Sequence, residues 1–291
     1  MTTPPVVGVI GIGAMGLAIA KNLLSRGHLP LVRDVRREAE DEARELGMEI
    51  ASSPAALADR VDLVLVVVVN AAEVEAVLFG ADGVAAGRTR RATVMVCSTI
   101  APEAVIGCAE RLRALGIDLI DAPISGGPAR ACAGTMSMML AGDARRIAEF
   151  DAILTCMANR RFIISERVGD GARIKLVNNL LAGINLVAAA EAFALGERMG
   201  LDPRRIYEVI CESSGDSWVF QDRMGRVLED DFGPRARVPI LTKDVGLATR
   251  MADGVGAATP LGRAALARLE QTVAEGYAGL DDAAVIKTYR P

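Results

Sequence analysis

The chain opens with a short unbroken apolar run at residues 6–10, then a glycine-rich turn, then apolar residues at helical spacing from Met15 to about Arg26. A brief continuous apolar run bounded by turn residues suits a strand buried on both faces, and the change to a 3.6-residue period marks entry into a helix. Gly27 stands where a helix C-terminal glycine is expected. Residues 29–33 read as a second strand ending at Asp34, and a charged helix over 36–46 stops at Gly47. The most apolar segment, 61–69, is hydrophobic on both faces, which predicts a central parallel strand covered by helices on both sides. Further strands are expected at 93–97, 118–122, 137–140 and 162–165, with a helix after Pro102. Beyond this the pattern changes. One long helix is expected from about residue 171 to 200, another has Pro203 in its first turn, and no convincing strand follows.

Alternation of strand and helix followed by helices alone predicts an α/β protein. Its N-terminal part is a Rossmann-type doubly wound sheet with right-handed crossovers, and an all-helical C-terminal domain follows through the long helix. The expected domains are 1–166 and 167–291, and a chain of 291 residues is long enough for two cores. No internal repeat or low-complexity tract is visible.

Composition adjusts this picture. Hydrophobic residues make up 51% of the chain and aromatics only 3%, so the core is built from aliphatic side chains and Met. With 33 basic and 37 acidic residues the net charge is −4, which argues against a nucleic-acid partner. Five scattered cysteines without a CxxC pair argue against a disulfide framework or a zinc site and suit a reducing cytoplasm. No basic segment precedes the first strand, so no signal peptide is expected. The uncharged stretch 176–190 falls short of the ~20 residues a membrane span needs and contains Asn178, Asn179 and Asn185, so it reads as a buried helix and no membrane partner is expected. The single histidine, His28, reads as a surface turn, and its solitude excludes a multi-histidine metal site or a Ser-His-Asp triad.

Gly11-Ile12-Gly13-Ala14-Met15-Gly16 follows a strand, opens a helix, and is succeeded by an acidic residue, Asp34, at the end of the next strand. The glycines differ in what they permit. Gly11 allows the tight turn, Gly13 admits a pyrophosphate close to the backbone, and Gly16 lets helix and strand pack. The helix N-terminus presents unpaired N–H groups and partial positive charge to phosphate. The bland alternative is a structural glycine turn in an unrelated α/β domain. Asp34 favours NAD, because a carboxylate accepts from ribose hydroxyls and repels a 2′-phosphate. Arg33, Arg36 and Arg37 keep NADP open, unless they are ordinary surface charge.

Asp121-Ala-Pro-Ile-Ser125-Gly126-Gly127 leaves a strand through a Ser/Gly turn that either holds a carboxylate or is a plain loop. Gly169-Asp-Gly171 leads to Lys175, with Asn179 on the same helix face and Asn178 beside it. Lys175 is a candidate general acid/base if buried, and an ordinary solvent-reaching lysine if not.

Together these segments resemble the β-hydroxyacid dehydrogenase family, which includes 3-hydroxyisobutyrate dehydrogenases, tartronate semialdehyde reductases and L-threonate dehydrogenases. GIGAMGLAIAKNLL is similar to the family's nucleotide motif, DAPISGG to its DAPVSGG substrate motif, GDGARIKLVNN to its GxGxxxKxxNN catalytic motif, and the segment from Lys243-Asp244 to its KDLxLA cofactor motif. The resemblance implies NAD(P)-dependent hydride transfer to or from a small hydroxy acid, with Lys175 as general acid/base and Asn179 orienting it or the substrate. It also implies substrate binding by Ser125, Gly126, Gly127 and Asn178. Cofactor contacts would come from Gly11, Ile12, Gly13, Ala14, Met15, Gly16, Asp34, Val69, Asn70, Thr99 and Lys243. Many members have Leu-Pro where this chain has Val69-Asn70. Residues 213–223 are similar to a segment of L-threonate dehydrogenases, and Ser217 or Asp216 there are candidates to meet substrate hydroxyls. Trp218 within it is expected in the core, Cys97 is expected as buried filler, and Met136, Met138 and Met139 are expected to pack within a strand. A semialdehyde reductase and a non-catalytic dinucleotide sensor are the alternative functions, and a homodimer or homotetramer is the expected assembly.

Overall fold

The computed structural model describes residues 4–290. The chain divides into two compact units between Lys175 and Leu176, inside one continuous helix, Asp170–Arg198.

The first unit holds nine strands: β1 (Val7–Ile10), β2 (Leu31–Arg33), β3 (Glu49–Ile50), β4 (Leu63–Val66), β5 (Thr93–Val96), β6 (Leu119–Asp121), β7 (Ile124–Ser125), β8 (Met136–Ala141) and β9 (Ala158–Ser165). Their order is β3-β2-β1-β4-β5-β6-β8-β7, with β9 also paired to β8. The first six are mutually parallel, while β8 runs antiparallel to β6 and β7. The order reverses between β1 and β4, and a crevice at the carboxyl ends of strands at such a switch point is where open α/β sheets take ligands.

Both faces of the sheet are covered, as the apolar run in β4 predicts. Leu63 and Leu65 join a core with Ile19 and Leu23 of the helix Ala14–Ser25. Val64 and Val66 join another with Val74 of Ala71–Phe79 and Leu112 of Pro102–Arg113. The strand is shorter than the apolar run. Beyond Val66 the Val68 N–H donates to the Ser98 hydroxyl at 2.9 Å, and Asn70 caps the next helix by accepting from Glu73 N–H. Val69 is therefore left exposed at the loop. Met136, Met138 and Met139 are buried in β8.

The second unit is helical: Pro203–Cys211, Trp218–Leu228, Val238–Gly254 and Pro260–Ala274 pack with the remainder of the long helix and a 3₁₀ segment, Asp282–Thr288. Leu186, Phe193, Phe220, Met224, Val245 and Leu269 form its core. Its one extended pairing among the described residues is an isolated bridge between Arg237 and Asp281.

Candidate active site

The glycine turn sits at the carboxyl end of β1. Gly11 has φ +87°, a left-handed conformation that costs glycine little. A Cβ at Gly16 would lie 1.9 Å from the Gly11 carbonyl oxygen, so helix and turn pack closer than any side chain allows. Gly13 is the N-cap of Ala14–Ser25. No side chain caps that terminus and no acidic residue occupies its first turn, so its N–H groups are offered outward. A Cβ at Gly13 would have one neighbour within 4 Å, the Arg36 Nη2 at 3.5 Å. This open, uncapped, positively polarised turn suits the pyrophosphate of a dinucleotide.

Asp34 is buried at the end of β2 and closes the turn. Its Oδ2 accepts from Ile12 N–H at 2.8 Å, and its carboxylate accepts from the Arg36 N–H at 2.9 Å and from the Arg36 Nε and Nη2, each at 3.1 Å. Burial pushes this carboxyl up, but the Arg36 and Ile12 donors outweigh that and hold it below the usual carboxylate range. Arg33 pairs with Glu40, and Arg37 is exposed. Of the three arginines near Asp34, two are thus committed to carboxylates of this chain.

Val69, Asn70 and Thr99 follow β4 and β5 at the same edge of the sheet. The Asn70 side chain is engaged with Glu73, accepting its N–H and donating to Oε1 at 2.7 Å.

Ser125 ends β7. Gly126 (φ +135°) and Gly127 (φ +73°) then turn the chain into the helix Gly127–Ala133. Asp121, at the start of this motif and 1% exposed, reaches the long helix: its Oδ2 accepts from Gly169 N–H and Ala172 N–H, both at 2.9 Å. Burial pushes its carboxyl up to about 6, against the pull of those backbone donors. Cys97, at the end of β5, is buried and its thiol is pushed up to about 12 by burial and by the Asp121 charge, which makes it an inert filler.

Lys175 and Asn179 follow on the long helix, 6% and 8% exposed. Both are buried, which removes the solvent-reaching alternative for the lysine. Asn178 is exposed, and its Nδ2 donates to Asn179 Oδ1 at 2.9 Å. In the second unit Asn179 Nδ2 donates to Asp244 Oδ2 at 2.6 Å, and Lys243 Nζ lies 2.7 Å from the other oxygen as an ion pair. Asp244 thus brings Asn179 and Lys243 together.

Two buried carboxylates, Asp121 and Asp244, have no role expected from sequence although both lie inside the family motifs. For Asp121 the signal is an acidic residue in an otherwise apolar context, and for Asp244 it is an acidic residue directly after the motif lysine Lys243. The expectation for Trp218 is corrected: it is 56% exposed, at the first turn of its helix, with the Arg223 guanidinium 5.9 Å from the ring centroid. Phe220, two residues on, takes the core position instead. The Ser217 hydroxyl is occupied in capping this helix, accepting from Phe220 N–H at 3.0 Å.

Residues 6–166 match the NAD binding domain of 6-phosphogluconate dehydrogenase, and residues 169–289 match the NAD-binding domain of NADP-dependent 3-hydroxyisobutyrate dehydrogenase. The chain is 39% identical to an L-threonate dehydrogenase of Cupriavidus necator over 97% of this chain and 95% of that protein. A solved 3-hydroxyisobutyrate dehydrogenase from Salmonella typhimurium superposes with a TM-score of 0.89 at 36% identity, covering 97% of this chain and 99% of that one. Psf3 in complex with NADP+ and 2-OPP superposes at 0.91 with 26% identity, covering 97% and 99%. The chain belongs to the β-hydroxyacid dehydrogenase family, of the 3-hydroxyisobutyrate dehydrogenase type, and is an NAD(P)-dependent oxidoreductase.

Proposed function

We propose that the protein oxidises a small polar hydroxy acid of the L-threonate type with NAD, using Lys175 for proton transfer. The observation that carries this reading is the burial of Lys175 one helical turn before the buried Asn179, on the helix whose start is held by the DAPISGG segment. The relative named L-threonate dehydrogenase supports the substrate class.

The Ser125 hydroxyl and the N–H groups of Gly126 and Gly127 hold the substrate carboxylate. Lys175 Nζ accepts the proton from the substrate hydroxyl as the carbon–hydrogen bond breaks. A bound nicotinamide supplies the hydride acceptor. In the reverse direction, semialdehyde reduction, Lys175 returns the proton to the carbonyl oxygen and stabilises its developing charge. Asn179, fixed by Asp244, orients Lys175 or the substrate, and Asn178 joins the substrate side. Gly11 through Gly16, Asp34, Val69, Asn70, Thr99 and Lys243 are assigned to the cofactor, and the Asp34 carboxylate favours NAD over NADP. Residues 1–166 form the dinucleotide-binding domain, which also supplies the Ser125–Gly127 turn, and 167–291 form the helical domain for substrate and oligomer contacts, which also supplies Lys243 to the cofactor. Ile174, Val177, Leu181, Leu195 and Met199 form an exposed apolar stripe along the long helix and its end, which supports a homodimer or homotetramer. The five free thiols suit the cytoplasm.

The test is Lys175→Met, assayed by the absorbance of reduced cofactor against L-threonate, 3-hydroxyisobutyrate and L-serine with NAD and NADP. Turnover is expected to fall by roughly 10²–10⁴ with cofactor binding retained. Near-normal turnover overturns the assignment.

A further inference from the structure

We infer that Asp121 is a positioning residue for Lys175, its carboxylate fixing the first turn of the catalytic helix to the strand from which the substrate-binding turn departs. This rests on the reading of Lys175 as the proton-transfer group.

The contact is close and specific. One oxygen, Oδ2, accepts from both Gly169 N–H and Ala172 N–H at 2.9 Å. Between them, a Cβ on Gly171 would lie 2.8 Å from the Met139 carbonyl oxygen and 3.0 Å from Asp121 Cγ, so the helix start rests directly on β6 and β8. Asp170, the other acidic residue at this terminus, is directed elsewhere: it accepts from Ser165 Oγ at 2.6 Å, Arg167 Nε at 3.1 Å and Arg173 Nη1 at 2.6 Å. The helix start therefore has two carboxylates with different partners, one tied to surface arginines and one buried against backbone donors.

Lys175 follows Ala172 by three residues and Gly171 by four, so it lies on the face that Asp121 fixes. Asp121 also begins the segment that ends in Ser125, Gly126 and Gly127. One carboxylate thereby sets the register between the group that moves the proton and the turn assigned to the substrate carboxylate. Misplacement of a catalytic group by about 1 Å costs on the order of 10² in rate. An asparagine caps a helix as well as an aspartate does, without a buried anion to desolvate, so fold alone does not call for a charge here. The charge-assisted bonds are stronger and hold the turn more tightly. Asp170 from the helix also disfavours the Asp121 anion by its charge, while Cys97 from the end of β5, its thiol pushed up to about 12 by burial and by Asp121, stays neutral across the range tested.

Asp121→Asn keeps the shape and removes the charge. Proton transfer by Lys175 has its own pH dependence, but the ratio of wild-type to variant kcat/KM for hydroxy-acid oxidation cancels it. That ratio is expected near one at pH 5, where wild-type Asp121 is protonated, and to rise about tenfold by pH 8 with a midpoint near 6. Cofactor Kd, read by NADH fluorescence, is expected to stay unchanged. A ratio that is flat with pH, or a loss matched by weaker cofactor binding, overturns the inference. Should Asp121→Asn not fold, Gly171→Ala lifts the helix start off the intact carboxylate. A kcat lowered about tenfold or more at constant cofactor Kd supports the inference, and an unchanged kcat overturns it. If Lys175→Met retains turnover, the underlying assignment fails whatever Asp121 does. If Lys175→Met is inactive and the ratio is flat, only the role of Asp121 fails.

Discussion

Asn179 donates its side-chain N–H to Asp244 at 2.6 Å, and both residues are buried. The same carboxylate is paired through its Oδ1 with the Lys243 ammonium at 2.7 Å. Asp244 is therefore the shared acceptor for an amide and an ammonium, both assigned to the site. Replacing it by alanine leaves both donors without it. Asp244→Ala is expected to lower stability by about 1–3 kcal/mol, seen as a drop of several degrees in Tm, and to reduce kcat by more than tenfold as Asn179 loses its fixed orientation. Asp244→Asn, which retains one acceptor oxygen, should fall between. An unchanged Tm and kcat in the alanine variant would show that Asn179 is held by other means.

The glycines of the nucleotide turn fall into two kinds. At Gly16 a Cβ meets the Gly11 backbone at 1.9 Å, whereas at Gly13 it meets only the end of the flexible Arg36 side chain, and Gly13 has an ordinary φ of −69°. Gly16→Ala should therefore damage the fold, with loss of soluble protein or a marked fall in Tm. Gly13→Ala should melt close to wild type but bind NADH at least tenfold more weakly, because the methyl occupies the space assigned to pyrophosphate. Calorimetric titration with NADH alongside thermal melts distinguishes the two. Equal NADH affinity in Gly13→Ala and wild type would sink the placement of the cofactor over this turn.

The parts legible in the sequence are those with a long period or a strong local constraint. The run through β4 stands out because both faces are buried, and the helix Asp170–Arg198 because its middle, residues 176–190, is an apolar run without formal charge sustained over about four turns. Short elements are not legible. β3, β7 and the helix Pro54–Ala58 are each shorter than the window over which a period declares itself. The strand β9 begins at Ala158, earlier than the expected 162, because it is an edge strand exposed along most of its length, and Arg160 and Arg161 break the apolar run. Motif residues are legible by type and order, but their partners are not. Nothing local in the sequence says that Asp121 bonds the backbone of a helix 48 and 51 residues away, or that Asn179 meets Asp244 65 residues on. Trp218 fails for a related reason. Its helix buries Phe220, Met224 and Val227, and the tryptophan lies off that stripe, a matter of helix phase that residue size does not reveal.

The proposed preference for NAD is assigned to the carboxylate at the end of β2. Asp34 is held below the usual carboxylate range, so it stays anionic from pH 5 upward, and a preference for NAD over NADP should be constant from pH 5.5 to 9. Protonation, which would weaken that preference, lies on the acid side of this window, because a lowered pKa loses its effect as pH falls. Asp34→Ala removes the repulsion of a 2′-phosphate and frees the Arg36 guanidinium from its pairing. The ratio of kcat/KM with NAD to that with NADP is expected to shift toward NADP by about tenfold to a hundredfold, from both loss with NAD and gain with NADP. The variant should also be less stable by about 1 kcal/mol or more, because Ile12 N–H loses its acceptor. Adding Arg36→Ala to Asp34→Ala should remove the gain with NADP and leave the loss with NAD. If the double variant uses NADP as well as the single one does, Arg36 plays no part in the choice.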